Sequence, residues 1–270
     1  MPWFMERLRA GWFEVVNPFN NRSRMVPAGP DQVHSIVFWS KNFGPFIDGG
    51  YGMRLKEMGY HLFFNFTINS ESSVLEPGVP PLQQRLTQLA FLCRNFDPRI
   101  VNWRFDPLCF YTTGDGLVHD NLNDFSRIAA SASDAGVQRC VTSYMDHYPK
   151  IARRIKSIPD FNFIDPLVEK KIEILYCMQE TLSPCGIELQ ICCEKELLEA
   201  LPDDFPIRGS SCIPNDFLAE VYGGRLSLKR DAGQRVTAGC GCRVSVDIGS
   251  YWKHPCCHKC LFCYASPAVS

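Results

Sequence analysis

The chain has 270 residues, of which 46% are hydrophobic and 21% are charged, so it is long enough to bury a substantial core in one large domain or two small ones. Its 28 basic and 29 acidic residues give a formal net charge of −1, which excludes a strong overall field toward nucleic acid or an anionic membrane. No apolar stretch approaches the roughly 20 residues of a membrane span, and Met1 to Val16 lack the apolar run of a signal peptide. We therefore expect a cytoplasmic protein with no membrane partner.

Hydrophobic patterning predicts apolar strands that alternate with amphipathic helices along most of the chain. The predicted strands are residues 12–16, 35–39, 61–67, 100–105, 137–143, 187–192 and 209–212. The predicted helices are residues 2–10, 81–95, 121–135, 165–181, 194–201 and 215–222. This alternation is typical of parallel βαβ units, and about seven of them favour an α/β fold of the (β/α) TIM-barrel type, complete, partial or open.

In such a fold, functional side chains follow the carboxyl ends of the strands. The candidates at these positions are Lys41, Asn42, Asn65, Thr67, Arg104, Asp106, Ser143, Tyr144, Cys192, Cys193, Glu194, Ser211 and Cys212. Glycine, polar residues and cysteines dominate from residue 223 onward. We therefore predict a barrel-like domain over residues 1–222 and an irregular, cysteine-rich tail over residues 223–270 that packs on it.

Cysteine is over-represented, with 14 residues in a chain without a predicted export signal. Six of them lie within the last 31 residues, namely Cys240, Cys242, Cys256, Cys257, Cys260 and Cys263. In a reducing compartment, such an excess indicates metal or catalytic chemistry rather than a disulfide framework.

The strongest motif is Cys256-x3-Cys260-x2-Cys263. Three thiolates on one short loop would bind three irons of a [4Fe–4S] cluster and leave the fourth iron open. S-adenosylmethionine (SAM) binds an open iron of this kind, and reduction then releases a radical from it. Phe262 stands directly before the third cysteine, where an aromatic residue recurs in radical-SAM loops and would pack near the adenine.

Four alternatives stay open for this loop, and the simplest is that its cysteines are free structural thiols. A structural zinc ion would take Cys240 and Cys242 together with cysteines of the loop, although zinc ribbons usually use paired C-x2-C knuckles. Cys257 would replace Cys256 in a C-x2-C-x2-C spacing. His258 is a third candidate ligand, but a histidine there more often hydrogen-bonds a cluster sulfur or faces solvent.

The tail from Cys240 to Tyr251, followed by Cys256, Cys260 and Cys263, is similar to the domain of unknown function eighteen-forty-eight family, whose members end in a cysteine cluster like that of radical-SAM domains. Further matching stretches are residues 17–20, 36–42, 76–80, 103–107 and 229–235. The resemblance covers nearly the whole chain and implies a cluster-binding, SAM-using protein with no assigned substrate.

The sequence departs from the family pattern at three places. Family members usually begin with a strand that carries Ser-Arg-Arg-Thr-Asp, whereas this sequence starts at the following helix, so we expect a barrel that is open at one side. Pro214 stands where aspartate is common. Cys257 and Lys259 replace the usual proline and glycine inside the loop, but the ligand spacing is kept.

A second group of thiols, Cys192, Cys212, Cys240 and Cys242, would converge if the tail packs on the strand ends. It would hold a second iron–sulfur cluster or a zinc ion, and the alternative is that Cys192 and Cys212 are buried apolar side chains. The resemblance favours Cys192 over Cys193.

Four polar residues are candidates for cofactor binding. Arg104 and Asp106 would clamp a carboxylate or phosphate, or close the barrel mouth as an internal ion pair. Lys41 and Asn42 would face the same mouth or a solvated loop. We interpret the basic run at residues 150–156 as the solvated face of a helix, and Trp3, Trp12, Trp39 and Trp103 as mainly core residues.

Two functional hypotheses follow. The first is a radical-SAM-like enzyme that acts on a small-molecule or unknown substrate and takes electrons from a reductant such as ferredoxin or flavodoxin. The second is a non-catalytic iron–sulfur or structural zinc protein. We do not expect nucleic acid as a partner, because the sequence forms no clear basic and aromatic surface.

Overall fold

The structure is a computed structural model, and it describes residues 1–17, 20–250 and 253–264. In chain order its strands are β1 (Trp12–Val16), β2 (Ser23–Pro27), β3 (Ser35–Ser40), β4 (His61–Thr67), β5 (Val101–Leu108), β6 (Phe110–Thr112), β7 (Val118–Asp120), β8 (Arg139–Tyr144), β9 (Asn162–Ile164), β10 (Glu188–Ile191) and β11 (Arg208–Gly209). Its α-helices are α1 (Pro2–Ala10), α2 (Gly44–Asp48), α3 (Tyr51–Glu57), α4 (Leu82–Asn95), α5 (Phe125–Asp134), α6 (Pro149–Ile155), α7 (Val168–Leu182), α8 (Lys195–Ala200) and α9 (Asn215–Tyr222). Short 3₁₀ helices cover Pro98–Ile100, Ser183–Cys185 and Val236–Ala238.

The centre of the molecule is a six-stranded sheet in the order β3-β4-β5-β8-β10-β11. Every neighbouring pair in it is parallel, and helices lie in the connections between its strands. The strand order follows the chain, and because the strands are parallel, the carboxyl ends of all six meet at one edge. This confirms the predicted α/β class and parallel βαβ units.

Within the described ranges, the edge strands β3 and β11 do not pair with each other, so the strand pairing gives an open sheet and not a closed barrel, in keeping with the open form among the predicted alternatives. The predicted strand at Trp12–Val16 forms, but it is wrong as a member of a parallel unit because it pairs antiparallel with β2. A third, small antiparallel sheet has the order β7-β6-β9.

Aromatic rings from β4 fill much of the core. This strand is buried along almost its whole length, as a central parallel strand should be. Phe64 on β4 stacks on Phe38 and packs edge-on against Phe43. Trp103 on β5 is fully buried, stacks on Phe125 of α5 at 5.5 Å and donates to the Ile68 carbonyl at 3.0 Å. By contrast, Trp12 is 37% exposed and Trp39 is 49% exposed, so the assignment of these two residues to the core is wrong.

The tail is irregular where the structure describes it, as the glycine and cysteine content predicts. After α9 it contains the short 3₁₀ helix Val236–Ala238 and an isolated bridge between Arg230 and Arg243. Cys240 and Cys242 pack against Ile213, which directly follows the β11 region. The tail therefore covers the carboxyl edge of the sheet. In the part of the chain that is described, no helix has both the length and the apolar character of a membrane span.

Candidate functional site

The carboxyl edge of the sheet collects most of the side chains that the sequence singles out. Lys41 follows β3, Arg104 and Asp106 lie within β5, Cys192 follows β10, and Cys212 comes after β11. The tail adds Cys240, Cys242 and the segment from Cys256 to Cys263, named here the cysteine loop. Two groups of thiols result, one in the cysteine loop and one at the ends of β10 and β11.

The cysteine loop is held in place by backbone contacts with the segment after β4. The Gly78 amide donates to the His258 carbonyl at 3.0 Å, and the Leu261 amide donates to the Leu75 carbonyl at 2.9 Å. His258 Nδ1 lies 3.1 Å from the Gly78 carbonyl oxygen, so this histidine hydrogen-bonds the protein backbone. A β-carbon on Gly78 would lie only 2.5 Å from the Cys257 carbonyl oxygen, which explains why glycine is present there.

A single arginine fixes the other half of the cysteine loop. Arg154 Nη1 on α6 donates to the carbonyls of Cys260, Leu261 and Cys263 at 3.1, 2.6 and 2.9 Å. Three carbonyls that face one guanidinium give the loop a curved shape. The prediction of a solvated helix face over residues 150–156 is therefore wrong for Arg154, although its neighbour Arg153 is exposed.

The three predicted cluster ligands differ in exposure. Cys260 is buried, Cys263 is partly buried and Cys256 is exposed. Burial raises the pKa of the Cys260 thiol to about 12, and the nearby Lys41 ammonium opposes this rise. Cys256 and Cys263 lie close enough to Cys260 for their charges to raise its pKa further. The loop thus brings these three sulfurs into one neighbourhood, next to a cation.

Lys41 occupies the space between the cysteine loop and the sheet. Its Nζ donates to Glu76 Oε1 at 2.6 Å and lies 5.1 Å from the centre of the Phe262 ring, a cation–π distance. Burial lowers the pKa of Lys41, but Glu76 and Cys260 together raise it above the ordinary lysine value. The Glu76 side chain is only 3% exposed, and within the described ranges its Oε2 has no hydrogen-bond partner. An unpartnered buried carboxylate oxygen therefore lies beside the loop.

Asn69 links this pair to β5. Its Nδ2 donates to Glu76 Oε1 at 2.9 Å and to the Asp106 carbonyl at 3.1 Å, and its Oδ1 accepts from the Asp106 amide at 2.8 Å. Asn42, by contrast, is not part of this network. Its Oδ1 accepts from the Gly44 amide and from Gln88 Nε2, both at 2.9 Å, so it holds the start of α2.

Arg104 and Asp106 form the ion pair that was one of the two predicted roles. Arg104 Nη2 donates to Asp106 Oδ2 at 2.5 Å, and Ser143 Oγ donates to Asp106 Oδ1. Arg104 Nη1 donates to the sulfur of Cys212 at 2.7 Å. Burial lowers the pKa of Arg104, but Asp106, Cys212 and Cys192 together raise it well above the usual value. The guanidinium is therefore positioned toward thiols as well as toward a carboxylate.

Five cysteines form the second thiol group, named here the five-thiol group: Cys192, Cys193, Cys212, Cys240 and Cys242. The Cys192 sulfur lies 3.6 Å from that of Cys193 and 3.9 Å from that of Cys212. Cys242 lies close enough to Cys212 and Cys240 to influence their thiols, and Cys240 lies similarly close to Cys193, so the five side chains are arranged in a ring. Hydrogen bonds from Cys192 and Cys242, followed by Arg104, hold the pKa of Cys212 well below its usual value.

These contacts bear on the zinc alternative that combined Cys240 and Cys242 with the cysteine loop. The thiols that contact Cys240 and Cys242 are those of Cys193 and Cys212, and the thiols that couple to Cys260 are those of its own loop. As the side chains stand, no three His, Cys, Asp or Glu residues in the described segments are arranged as ligands of a metal ion. Any ion here would require the thiols to rotate toward it.

Sequence patterns gave little indication of three residues in this region. Glu76 appeared only inside a stretch of family resemblance, Arg154 was hidden in a basic run, and Cys193 was ranked below Cys192. A buried partner for Lys41 could have been sought among the acidic residues after β4, where Glu76 lies between apolar Leu75 and Pro77. The Arg154 contact had no local signal, because it depends on where the tail docks.

Fold and site together define an α/β protein with a parallel sheet whose carboxyl edge is covered by a cysteine-rich tail. The chain belongs to the family described as a domain of unknown function (DUF1848), whose model matches residues 1–265. This confirms the predicted family. No curated protein matches the chain.

Proposed function

We propose that this protein is a radical-SAM-like iron–sulfur enzyme that binds a [4Fe–4S] cluster through Cys256, Cys260 and Cys263. The observation that carries the proposal is the docking of the cysteine loop at the carboxyl edge of the sheet, beside the buried pair of Lys41 and Glu76. Active sites of barrel-type α/β proteins lie at this edge. The loop therefore brings its thiols to the place where a substrate would bind.

The donor set suits the cluster. Thiolates are the usual ligands of iron–sulfur clusters, and three of them leave one iron open. Bound at such an iron of a reduced cluster, SAM supplies radical chemistry. Cys256 is exposed while Cys260 is buried, so one side of the loop faces solvent and the other faces the sheet edge.

The surrounding residues would hold the small molecules and exclude water. Phe262 is buried with Leu261 in an apolar cluster that includes Leu75 and Met145, and this packing closes one side of the site. Lys41 would attract a carboxylate, and the unpartnered Oε2 of Glu76 would accept a hydrogen bond from an ammonium or hydroxyl group. These are the two kinds of group that SAM and many small substrates offer.

We regard the sheet as an open part of a (β/α) barrel. Its strands follow chain order, each pair is parallel, and helices connect them, as in barrels of this type. The protein would take electrons from a ferredoxin or flavodoxin and act on a small-molecule substrate.

The alternative is a non-catalytic iron–sulfur or structural zinc protein. The five-thiol group favours it in part, because Cys192, Cys240 and Cys242 are buried, and Cys240 and Cys242 pack against Ile213. A site of that kind would stabilise the tail without reacting with a substrate.

The test is anaerobic reconstitution with iron and sulfide, followed by EPR of the reduced protein with and without SAM. We expect a [4Fe–4S]⁺ signal that changes when SAM is added. Cys256→Ala, Cys260→Ala and Cys263→Ala should each abolish this signal, and Cys257→Ala, the matched control in the same loop, should retain it. An EPR signal that does not change when SAM is added would favour the non-catalytic alternative. Loss of the signal in Cys257→Ala would contradict the ligand assignment.

A further inference from the structure

We propose that the five-thiol group is a zinc site, in which Cys192, Cys212, Cys240 and Cys242 bind one tetrahedral Zn²⁺ ion. The site is separate from the cysteine loop, and the proposal does not depend on a cluster there. It assigns one metal ion to thiols that come from two strand ends and from the tail.

The sulfur spacing supports a single ion. Zinc binds thiolate sulfur at about 2.3 Å, so the sulfurs of a tetrahedral site are about 3.8 Å apart. Among the four proposed ligands, the sulfurs of Cys192 and Cys212 lie 3.9 Å apart. In a cubane cluster each thiolate binds a different iron, which requires the sulfurs to stand farther apart than neighbours on one ion. Binding of one ion would require the cysteine side chains to rotate about their Cα–Cβ bonds until the four sulfurs face it.

The surrounding hydrogen bonds suit thiolates that bind a metal. The Cys240 sulfur accepts a backbone hydrogen bond from Cys242, and the Cys242 sulfur accepts one from Ile213. Arg104 donates to the Cys212 sulfur at 2.7 Å and is itself only 6% exposed. Four thiolates and one Zn²⁺ carry a net charge of −2, and a buried guanidinium offsets part of it. Outer hydrogen bonds of this kind orient metal ligands.

Cys193 is the thiol left over. A tetrahedral zinc site takes four ligands, and Cys193 is more exposed than Cys192, Cys240 and Cys242. It is also the residue of the group whose backbone has a positive φ, 60°, so the chain turns at this point. Cys192, the residue before it, is buried next to Cys212. We therefore place Cys192 among the ligands and Cys193 beside them.

The site would link distant parts of the chain. Cys192 and Cys212 end two neighbouring strands, and Cys240 and Cys242 belong to the irregular tail. A segment without strands or long helices gains little from its own backbone hydrogen bonds, so a metal that joins it to the sheet supplies folding energy directly. The tail would then be ordered around the ion.

The test uses a variant that lacks the loop ligands, Cys256→Ser/Cys260→Ser/Cys263→Ser, so that its result is independent of the cluster. The reduced, metal-free protein is titrated with Co²⁺, because tetrahedral thiolate coordination of Co²⁺ gives intense charge-transfer and visible bands. We expect one Co²⁺ per chain, displaced by one Zn²⁺. Adding Cys242→Ser or Cys212→Ser to this variant should weaken Co²⁺ binding by more than the roughly 10–100-fold that loss of a ligand's hydrogen-bonding partner causes.

Two control variants test whether the loss of Co²⁺ binding is specific to the four proposed ligands. Cys193→Ser, in the same background, should retain the tetrahedral bands, and so should Cys177→Ser on the exposed face of α7. Alkylation of the wild-type chain with and without Zn²⁺, read by mass spectrometry, tests the ligands without any variant: Cys192, Cys212, Cys240 and Cys242 should be protected together.

Other outcomes would overturn the proposal. Absence of tetrahedral bands in the loop variant would show that the five-thiol group does not bind a single metal ion. If the loop variant instead binds iron and acid-labile sulfide, and Cys242→Ser abolishes this binding, the five-thiol group holds an iron–sulfur cluster. Retention of the bands in Cys192→Ser with their loss in Cys193→Ser would overturn the choice of ligands.

Discussion

Arg104 donates to the sulfur of Cys212 across 108 positions of sequence, at an N–S distance of 2.7 Å. The same guanidinium donates to Asp106, which places one cation between a carboxylate and the five-thiol group. This geometry needs the planar fork of arginine, because a lysine ammonium cannot present two parallel donors to both groups.

Replacing Arg104 should therefore affect both stability and metal binding. The Arg104 and Asp106 side chains are 7% and 21% exposed, so Arg104→Gln leaves a largely buried carboxylate without its cation. We expect a loss of about 3 kcal/mol in the free energy of unfolding and weaker Co²⁺ binding to the five-thiol group. Chemical denaturation and Co²⁺ titration measure the two effects.

The control for Arg104 is Arg99→Gln, because Arg99 pairs with Asp97 on the surface, where the two side chains are 50% and 36% exposed. An exposed ion pair contributes about 0–1 kcal/mol, so this variant should stay close to wild type. Equal losses in the two variants would contradict the proposed role of Arg104.

Gly78 should be intolerant of a larger side chain. A β-carbon there would lie 2.5 Å from the Cys257 carbonyl oxygen and 2.8 Å from that of His258, and backbone atoms cannot rotate away. We expect Gly78→Ala to displace the cysteine loop and to lower iron content after reconstitution, with a stability loss of about 1–3 kcal/mol. Gly114→Ala, whose nearest neighbour would be at 3.4 Å, should reconstitute like wild type. Normal iron content in Gly78→Ala would show that the loop docks differently.

Arg154 should govern how firmly the cysteine loop is held. Arg154→Ala removes the donor to three loop carbonyls, at a cost of about 1 kcal/mol for each bond lost. We expect faster loss of iron to a chelator and faster amide exchange in residues 256–263. Arg153→Ala on the exposed side of the same helix is the matched control, and identical exchange in the two variants would argue against the contact.

Lys41 and Glu76 should be coupled to each other. Lys41→Met leaves the Glu76 carboxylate buried without its cation, so we expect a loss of about 3–5 kcal/mol. Lys41→Met combined with Glu76→Gln removes both charges and should recover part of this loss. Denaturation of the two single variants and the double variant gives the coupling free energy. If the changes in the free energy of unfolding of the two single variants add up to that of the double variant, the two side chains do not interact.

Tyr222 provides a pH-dependent test of packing against β4. Its hydroxyl donates to the Leu62 carbonyl at 2.7 Å, and burial raises its pKa from 10.0 to about 12. Between these two values the unfolded chain loses the phenolic proton and the folded chain keeps it, so this group's contribution to stability falls as the pH rises. At pH 8, Tyr222→Phe should cost about 1 kcal/mol.

The difference in the free energy of unfolding between wild type and Tyr222→Phe should become smaller from pH 10 toward pH 12, because only the wild type loses the contribution of the neutral phenol. Denaturation under reducing conditions at several pH values measures it. A difference that does not change with pH would place the Tyr222 hydroxyl in water.

Elements with strong periodicity were predictable from sequence. The bounds of α1, β1, β4 and α9 match the predicted ranges, because apolar runs bounded by glycine, proline or polar residues define them locally. The small sheet of β6, β7 and β9 was not predicted. Its strands have three residues each, and they are stabilised by packing of Tyr111, Phe161 and Phe163 beneath the cysteine loop rather than by local pattern.

The candidate site was predictable to a similar degree. The rule that parallel strands present their carboxyl ends at one edge correctly gathers Lys41, Arg104, Cys192 and Cys212. It does not indicate which helix or loop the tail contacts, so the interactions of Arg154 and Gly78 with the cysteine loop could not be derived. Asn42 also comes after β3, but its side chain accepts a hydrogen bond from the Gly44 amide at the start of α2 and not from the site.

The docking of the cysteine loop on Leu75 and Gly78 sets an order for biosynthesis. All six strands of the central sheet precede this loop in the chain, so they leave the ribosome before any of its thiols does. Until the loop arrives, the apolar surface formed by Leu75, Met145 and Phe161 lacks its cover of Leu261 and Phe262. Before the loop docks, this apolar surface is uncovered and the thiols of the loop are not yet held beside the sheet.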